Sequence, residues 1–102
     1  MRLKTPRPKV PGHDAERAGA LALQGLTFLA GDPQRLERFL SLTGMGPDEI
    51  RAAAVTPEFQ AAVLEHLLSD ESLLLVFAAE SGVAPELIAP AHALLAGSRP
   101  EA

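Results

Sequence analysis

Histidines and neighbouring carboxylates are the first residues of this sequence that could bind a metal ion. His66 and Asp70 are four residues apart on a predicted helical stretch, so both lie on one helix face, and Glu65 adjoins them. A zinc site takes at least three side-chain ligands at suitable spacing. Neither His13 nor His92 stands where it would supply the third ligand. We therefore expect no bound metal and interpret His66 as a histidine that faces apolar neighbours or an interface.

Two pairs of adjacent acids, Asp48–Glu49 and Asp70–Glu71, have the composition of a catalytic carboxylate pair. Both pairs stand at predicted helix starts, where the positive end of the helix dipole stabilises negative side chains. The sequence has no cysteine, no phosphate-binding glycine loop, no dinucleotide fingerprint and no nucleophile elbow. These patterns exclude thiolate catalysis and disulfides and disfavour an enzyme. We expect neither catalytic residues nor a cofactor.

The spacing of a helix-turn-helix occurs at Ala78, Gly82 and Ile88, where a small residue is followed by a glycine and then by a branched apolar residue. The helix after this turn carries Glu86 and Pro90, whereas the side chains that read DNA bases are Arg, Lys, Asn and Gln. We interpret the motif as a structural helix hairpin and expect no specific DNA binding.

Charge is divided unevenly along the chain. The first ten residues contain no acid and four cations, which are Arg2, Lys4, Arg7 and Lys9. From residue 11 onward, five arginines face thirteen acids, and this net charge of −8 should repel polyanions. Two interpretations of the basic segment stay open. It either contacts an acidic protein or, weakly, a nucleic acid, or it is a solvated tail that improves solubility.

The chain has 102 residues, of which 47% are apolar, and four phenylalanines but no Trp or Tyr, so we expect one compact all-α domain. We predict a flexible, proline-rich basic arm over residues 1–12, the helical domain over 13–97 and a disordered tail over 98–102. Every apolar run is shorter than the roughly 20 residues of a membrane span. Prolines and acids also interrupt the pattern of a signal peptide. A cytoplasmic protein without membrane contact is expected.

Capping residues, prolines at first helical positions and stop glycines divide this domain into six predicted helices. Their bounds are 14–30, 33–43, 47–54, 57–68, 70–81 and 85–96, with Asp14 as the N-cap of the first. The fifth helix is apolar on every side and is therefore expected at the centre of the fold. Pro90 should bend the sixth helix because it removes the backbone bond to Glu86.

The sequence is similar to itself when it is shifted by 38 residues. The alignment needs no gap and pairs Asp32 with Asp70, Phe39 with Phe77, Gly44 with Gly82 and Pro47 with Pro85. We infer two similar three-helix units in a closed six-helix bundle, since two repeats are too few for a solenoid. His66 takes the position of Phe28 in this alignment, which supports an apolar setting for its ring.

Three stretches, residues 21–40, 42–52 and 61–86, together resemble a bacterial family of short helical proteins, the domain of unknown function numbered 3572. The resemblance covers about residues 15–96. It implies a helical fold and a cytoplasmic location, and it carries no activity, ligand or catalytic residue to this chain.

Surplus apolar side chains are the remaining functional signal. The first predicted helix has an apolar arc wider than one neighbour can cover, and the fourth has leucines beside its main stripe. We predict a non-catalytic interaction or regulatory module that uses either the exposed part of the first helix or the surface from the fourth to the sixth helix. The predicted partner surface includes Leu23, Leu64 and Leu68. A heterologous protein partner is expected, with a homodimer as an alternative. A ligand-binding or enzymatic pocket between the two helical units is the other function left open.

Overall fold

The fold was obtained as a computed structural model, which describes the backbone of residues 11–97 and the side chains of residues 15–97. Its helices are α1 (Pro11–Ala30), α2 (Pro33–Thr43), α3 (Pro47–Ala53), α4 (Pro57–Leu68), α5 (Glu71–Ser81), a 3₁₀ turn (Pro85–Leu87) and α6 (Ile88–Gly97). This described part contains six α-helices and no strand, so the predicted all-α class is confirmed. The predicted tail and the first ten residues of the arm lie outside it.

The helices begin and end where short-range chemistry predicts. The side chain of Asp32 accepts a hydrogen bond from the backbone N–H of Gln34 at 2.9 Å and caps α2. Asp70 and Thr56 cap α5 and α4 in the same way. Glycines in the left-handed region end α2 and α5, with φ of 75° at Gly44 and 68° at Gly82. Side chains with a Cβ adopt this conformation only at a cost, and glycine does so freely.

Two predicted boundaries are wrong. Helix α1 begins at Pro11, so Asp14 lies inside the helix and is not its N-cap. The segment expected as one bent helix starts instead as the 3₁₀ turn, and α6 follows it from Ile88. Pro90 is then the third residue of α6. The first N–H groups of a helix have no intrahelical acceptor, so the proline removes no backbone bond there.

Helices α1, α4 and α6 pack against one another, and α4 is central to their shared core because it contributes more buried apolar residues than either neighbour. Its buried residues are Phe59, Ala61, Val63, Leu64 and Leu67. The prediction that α5 would be central is wrong. Only Phe77 and Ala78 of α5 are buried, whereas Leu74 is half-buried and Leu75 is 49% exposed. Helix α5 therefore packs on the core by one face.

Small residues allow α1 and α4 to approach closely. Ala18, Ala22 and Gly25 are buried and follow one face of α1 at helical spacing. A Cβ atom on Gly25 would lie 3.1 Å from Cδ1 of Leu67 and 3.2 Å from Cγ1 of Val63. Because these distances are tighter than ordinary contact, a side chain at this position would push the helices apart. The inner face of α1 therefore packs against α4, and its opposite face points away from the core.

Helix boundaries in the two halves of the domain correspond at a spacing of 38 residues, but the predicted repeat of two three-helix units is not confirmed. Residues 33–43 of α2 correspond to 71–81 of α5, and the two αL glycines correspond as well. The packing differs between the two halves. Helix α4 packs extensively on α6, whereas α3, the counterpart of α6, makes at most slight contact with α1.

The predicted helix hairpin is built from α5 and the segment Pro85–Gly97. The chain turns through 113° between them, and the side chains of Ala78 and Ile88 are buried. In the described part of the chain, no single helix is long and apolar enough to cross a bilayer. Helix α5 and the segment Pro85–Gly97 reach that length and apolar composition only when they are counted together, although they are bent relative to each other.

Candidate interaction surface

The outward face of α1 presents a strip of solvent-exposed residues. Its exposed members between residues 16 and 27 are Glu16, Arg17, Ala20, Leu23, Gln24 and Thr27. The small residues of α1 face α4. Residues on the opposite side of the helix therefore have no neighbour to pack against and form the strip. Leu23 is 43% exposed and is the largest apolar side chain of the strip.

Two shallow depressions flank this strip. The first, of about 510 Å³, lies between α1 and α5 and is bordered by Leu23, Thr27, Phe28 and Glu80, among others. The second, of about 410 Å³, lies between α1 and the chain from Leu87 to Leu94. A smaller depression of about 240 Å³ shares Arg17, Ala20, Leu21, Gln24 and Leu87 with them, so the area is continuous. We refer to the strip and its flanking depressions as the outer α1 surface.

The three leucines predicted for a partner surface do not lie together. Leu23 is exposed on the outer α1 surface. Leu64 is fully buried at 0% exposure, which corrects its assignment to a surface, because α4 is surrounded by α1 and α6. Leu68, the last residue of α4, is half-buried against the core. The four predicted polyanion contacts, Arg2, Lys4, Arg7 and Lys9, lie outside the described residues.

Two exposed leucines of this surface were missed from the sequence. Leu87 is 51% exposed and Leu94 is 39% exposed, and Pro90 lies between them in the second depression. Residues 87, 90 and 94 are three and seven apart, which puts them on one helix face. The sequence contains this spacing. Because Pro90 is assigned to a bend in the prediction from sequence, the exposed helix face on which it lies with the two leucines is not identified there.

Opposite charges stand at the two ends of the outer α1 surface. Arg17 borders the depression on the side of α6, near the beginning of α1. Glu80 borders the depression next to Thr27 and Phe28, near the end of α1. No ion pair joins either residue to another described side chain. Both side chains are exposed.

The junction between the two proposed units contains a small polar cleft of about 180 Å³, bordered by Gln34, Arg35, Arg38, Asp70 and Leu73. Arg35 is already engaged, with its guanidinium carbon 4.4 Å from the centre of the Phe28 ring and its Nε 3.8 Å from Oδ2 of Asp32. Pockets that bind small molecules usually measure about 300–1,000 Å³. This cleft is below that range.

His66 packs on the core as its alignment with a phenylalanine suggests. Its ring meets the ring of Phe39 nearly edge-on, with centroids 5.1 Å apart. Burial lowers the pKa of His66, and the nearby guanidinium of Arg38 lowers it further, while Asp70 acts in the opposite direction. The ring is therefore best accommodated in its neutral form.

Metal-ligating side chains do not converge in the described part of the chain, where no group of three or more His, Asp and Glu residues could hold an ion. The closest approach of this kind joins Nε2 of His92 to Oε1 of Glu65 at 3.9 Å. His13 lies outside the residues whose side chains are described.

Comparison with known protein families gives a match over most of the chain. Residues 15–98 match the sequence profile of the family described as Protein of unknown function (DUF3572). No curated protein and no solved structure matches the chain.

Proposed function

The chain belongs to the DUF3572 family of proteins of unknown function, and we propose that it is a small non-catalytic module that binds another polypeptide by helix packing. The observation that supports this proposal is the outer α1 surface. It brings the exposed side chains of Leu23, Leu87 and Leu94 beside two adjoining depressions. Contiguous exposed apolar area on a small protein is typical of a binding site.

A partner helix suits this surface better than a small ligand does. The depressions are open and shallow, and they run along α1, so a rod-shaped partner can lie in them with its apolar residues facing Leu23 and Leu87. A small molecule usually needs a site that buries most of its surface. The two depressions also lie between the proposed three-helix units, and their volumes of about 510 and 410 Å³ are in the range of ligand pockets. Their open shape supports a ligand-binding or enzymatic function less well, and the polar cleft between the units is smaller still, at about 180 Å³.

The proposed function is tested with matched leucine variants. Leu23→Lys and Leu87→Lys place a charge in the outer α1 surface, whereas Leu42→Lys, at a residue 68% exposed near the end of α2, places the same charge elsewhere. The purified proteins are immobilised, and capture of polypeptides from a lysate of the native cells is compared. We expect Leu23→Lys and Leu87→Lys to lose partners that wild type and Leu42→Lys retain.

Thermal melts followed by circular dichroism serve as the folding control, and all three variants should melt within a few degrees of wild type because the replaced side chains are exposed. Equal capture by wild type, the surface variants and Leu42→Lys would exclude the outer α1 surface as the binding site.

A further inference from the structure

We propose that the polypeptide bound at the outer α1 surface is a second copy of this chain, packed so that the two α1 helices run antiparallel about a two-fold axis. The proposal rests on the proposed function and names its partner. A two-fold contact requires a surface that is complementary to itself, so that each feature at one end finds its counterpart at the other end. The charges and side-chain sizes along α1 meet this requirement.

The charges define the register. Arg17 and Thr27 are ten residues apart, about 15 Å along a helix, and Glu80 borders the depression next to Thr27. When the two α1 helices cross midway between residues 17 and 27, Arg17 of each copy lies opposite Thr27 of the other. It then reaches the neighbourhood of Glu80. The symmetry forms this ion pair twice, and it uses two charges that have no described ion-pair partner within their own copy.

The same register matches side chains by size. Ala20 of one copy lies opposite Gln24 of the other, so a small side chain faces a long one twice and the helices can approach closely. Leu23 lies one residue from the crossing point, so the two copies of Leu23 come close together and cover the largest apolar side chain of the strip. The leucines at 87 and 94 border the second depression and extend the covered area.

The contact extends over little more than one helix, which is at the small end of protein interfaces, so a dimer of about micromolar affinity or weaker is expected. The proposal is tested by sedimentation equilibrium of the full chain over concentrations spanning the expected dissociation constant. Arg17→Glu and Glu80→Arg each replace two attractive pairs by two repulsive ones. Each single variant should therefore raise the dimer Kd by at least about tenfold.

Mixing the two charge-reversal variants shows whether they weaken the dimer through the proposed ion pairs or through a general change of net charge. In an equimolar mixture of Arg17→Glu and Glu80→Arg, both pairs across the contact are attractive again, and the heterodimer should recover a Kd near that of wild type. The double variant should recover as well. Glu37→Arg reverses an exposed charge on α2, outside the outer α1 surface, and should leave the Kd within about threefold.

Two results would overturn the second-copy proposal: a wild-type chain that stays monomeric over the whole concentration range, or a dimer whose Kd neither charge reversal changes. The first result leaves the proposed function standing when Leu23→Lys still loses a captured polypeptide that Leu42→Lys retains. Loss of both the dimer and the selective capture would remove both proposals.

Discussion

At the scale of single residues, His66 shows how a titratable side chain can act as part of a core. Its ring contacts Phe39, a residue with 0% exposure, which also contacts Phe59 at a centroid distance of 5.8 Å. Aromatic rings in this edge-on arrangement stabilise a core beyond the area they bury. A proton on the ring would add a positive charge that is partly removed from water and lies close to Arg38. The folded protein therefore prefers the neutral imidazole.

Because of His66, the free energy of unfolding should decrease in mild acid. Because the pKa of His66 is lowered by folding, the unfolded chain takes up a proton first as the pH drops through its ordinary value of about 6.5. The contribution of the neutral ring is complete above that pH and is lost as the pH falls through and below it. We expect His66→Gln to reduce the loss of unfolding free energy between pH 7.5 and 5.5, measured by urea denaturation.

Leu68→Ala is the matched control, since it alters a half-buried residue of α4 that does not titrate and leaves the contact between residues 66 and 39 intact. It should retain the wild-type dependence on pH. The same slope in His66→Gln and wild type would show that protonation of His66 does not oppose folding.

At the scale of helices, position in the bundle decides what an apolar side chain contributes. Helix α5 contains leucine or valine at four successive positions, yet Leu75 and Val76 are exposed, and Leu73 and Leu74 are half-buried. Its one large fully buried side chain is Phe77, whose ring lies 5.4 Å from that of Phe28. The helix has core neighbours on one side only, so its other apolar residues face solvent.

Two alanine substitutions on α5 test this arrangement. Phe77→Ala removes a buried ring and should lower the free energy of unfolding by about 3–5 kcal/mol, a large part of the stability of a small domain. Leu75→Ala removes an exposed side chain from the same helix and should change it by less than about 0.5 kcal/mol. Chemical denaturation followed by circular dichroism measures both. Similar losses for the two variants would mean that α5 is enclosed on both sides.

At the scale of the whole molecule, we expect the net charge to disfavour binding of nucleic acid to the folded part. From residue 11 onward the net charge is −8, while the first ten residues carry four positive charges. The exposed residues of α6 and the turn before it include Glu86, Pro90 and Leu94 and no arginine or lysine. A helix that reads base edges needs donors and cations on this face.

Any binding to DNA should therefore depend on the basic segment. Deletion of residues 1–10, which keeps α1 intact from Pro11, should abolish binding to a labelled duplex in fluorescence anisotropy. With up to four phosphate contacts, the affinity of the full chain should fall about a hundredfold between 50 and 200 mM salt. Tight binding by the shortened chain, or binding that resists salt, would contradict this prediction.

The helices can be predicted from the sequence, because their ends depend on interactions between residues close in the chain. Asp32, Thr56 and Asp70 cap α2, α4 and α5, and Gly44 and Gly82 end α2 and α5. These are hydrogen bonds and backbone preferences that span at most four residues. The exceptions have local causes as well, since α1 continues past Asp14 to Pro11 and Pro90 falls in the first turn of α6.

The apolar residues that are buried could not be identified from the sequence, because burial depends on how the helices pack. The pattern of a helix that is apolar on every side does not indicate which face has neighbours, so α5 was predicted at the centre although α4 occupies it. For the same reason Leu64 and Leu23 were assigned to one surface, whereas the first lies in the core and the second faces solvent. The outer α1 surface also joins residues about 70 positions apart. Burial depends on contacts between segments that are distant in the chain. Helical periodicity shows only which face of a single helix is apolar.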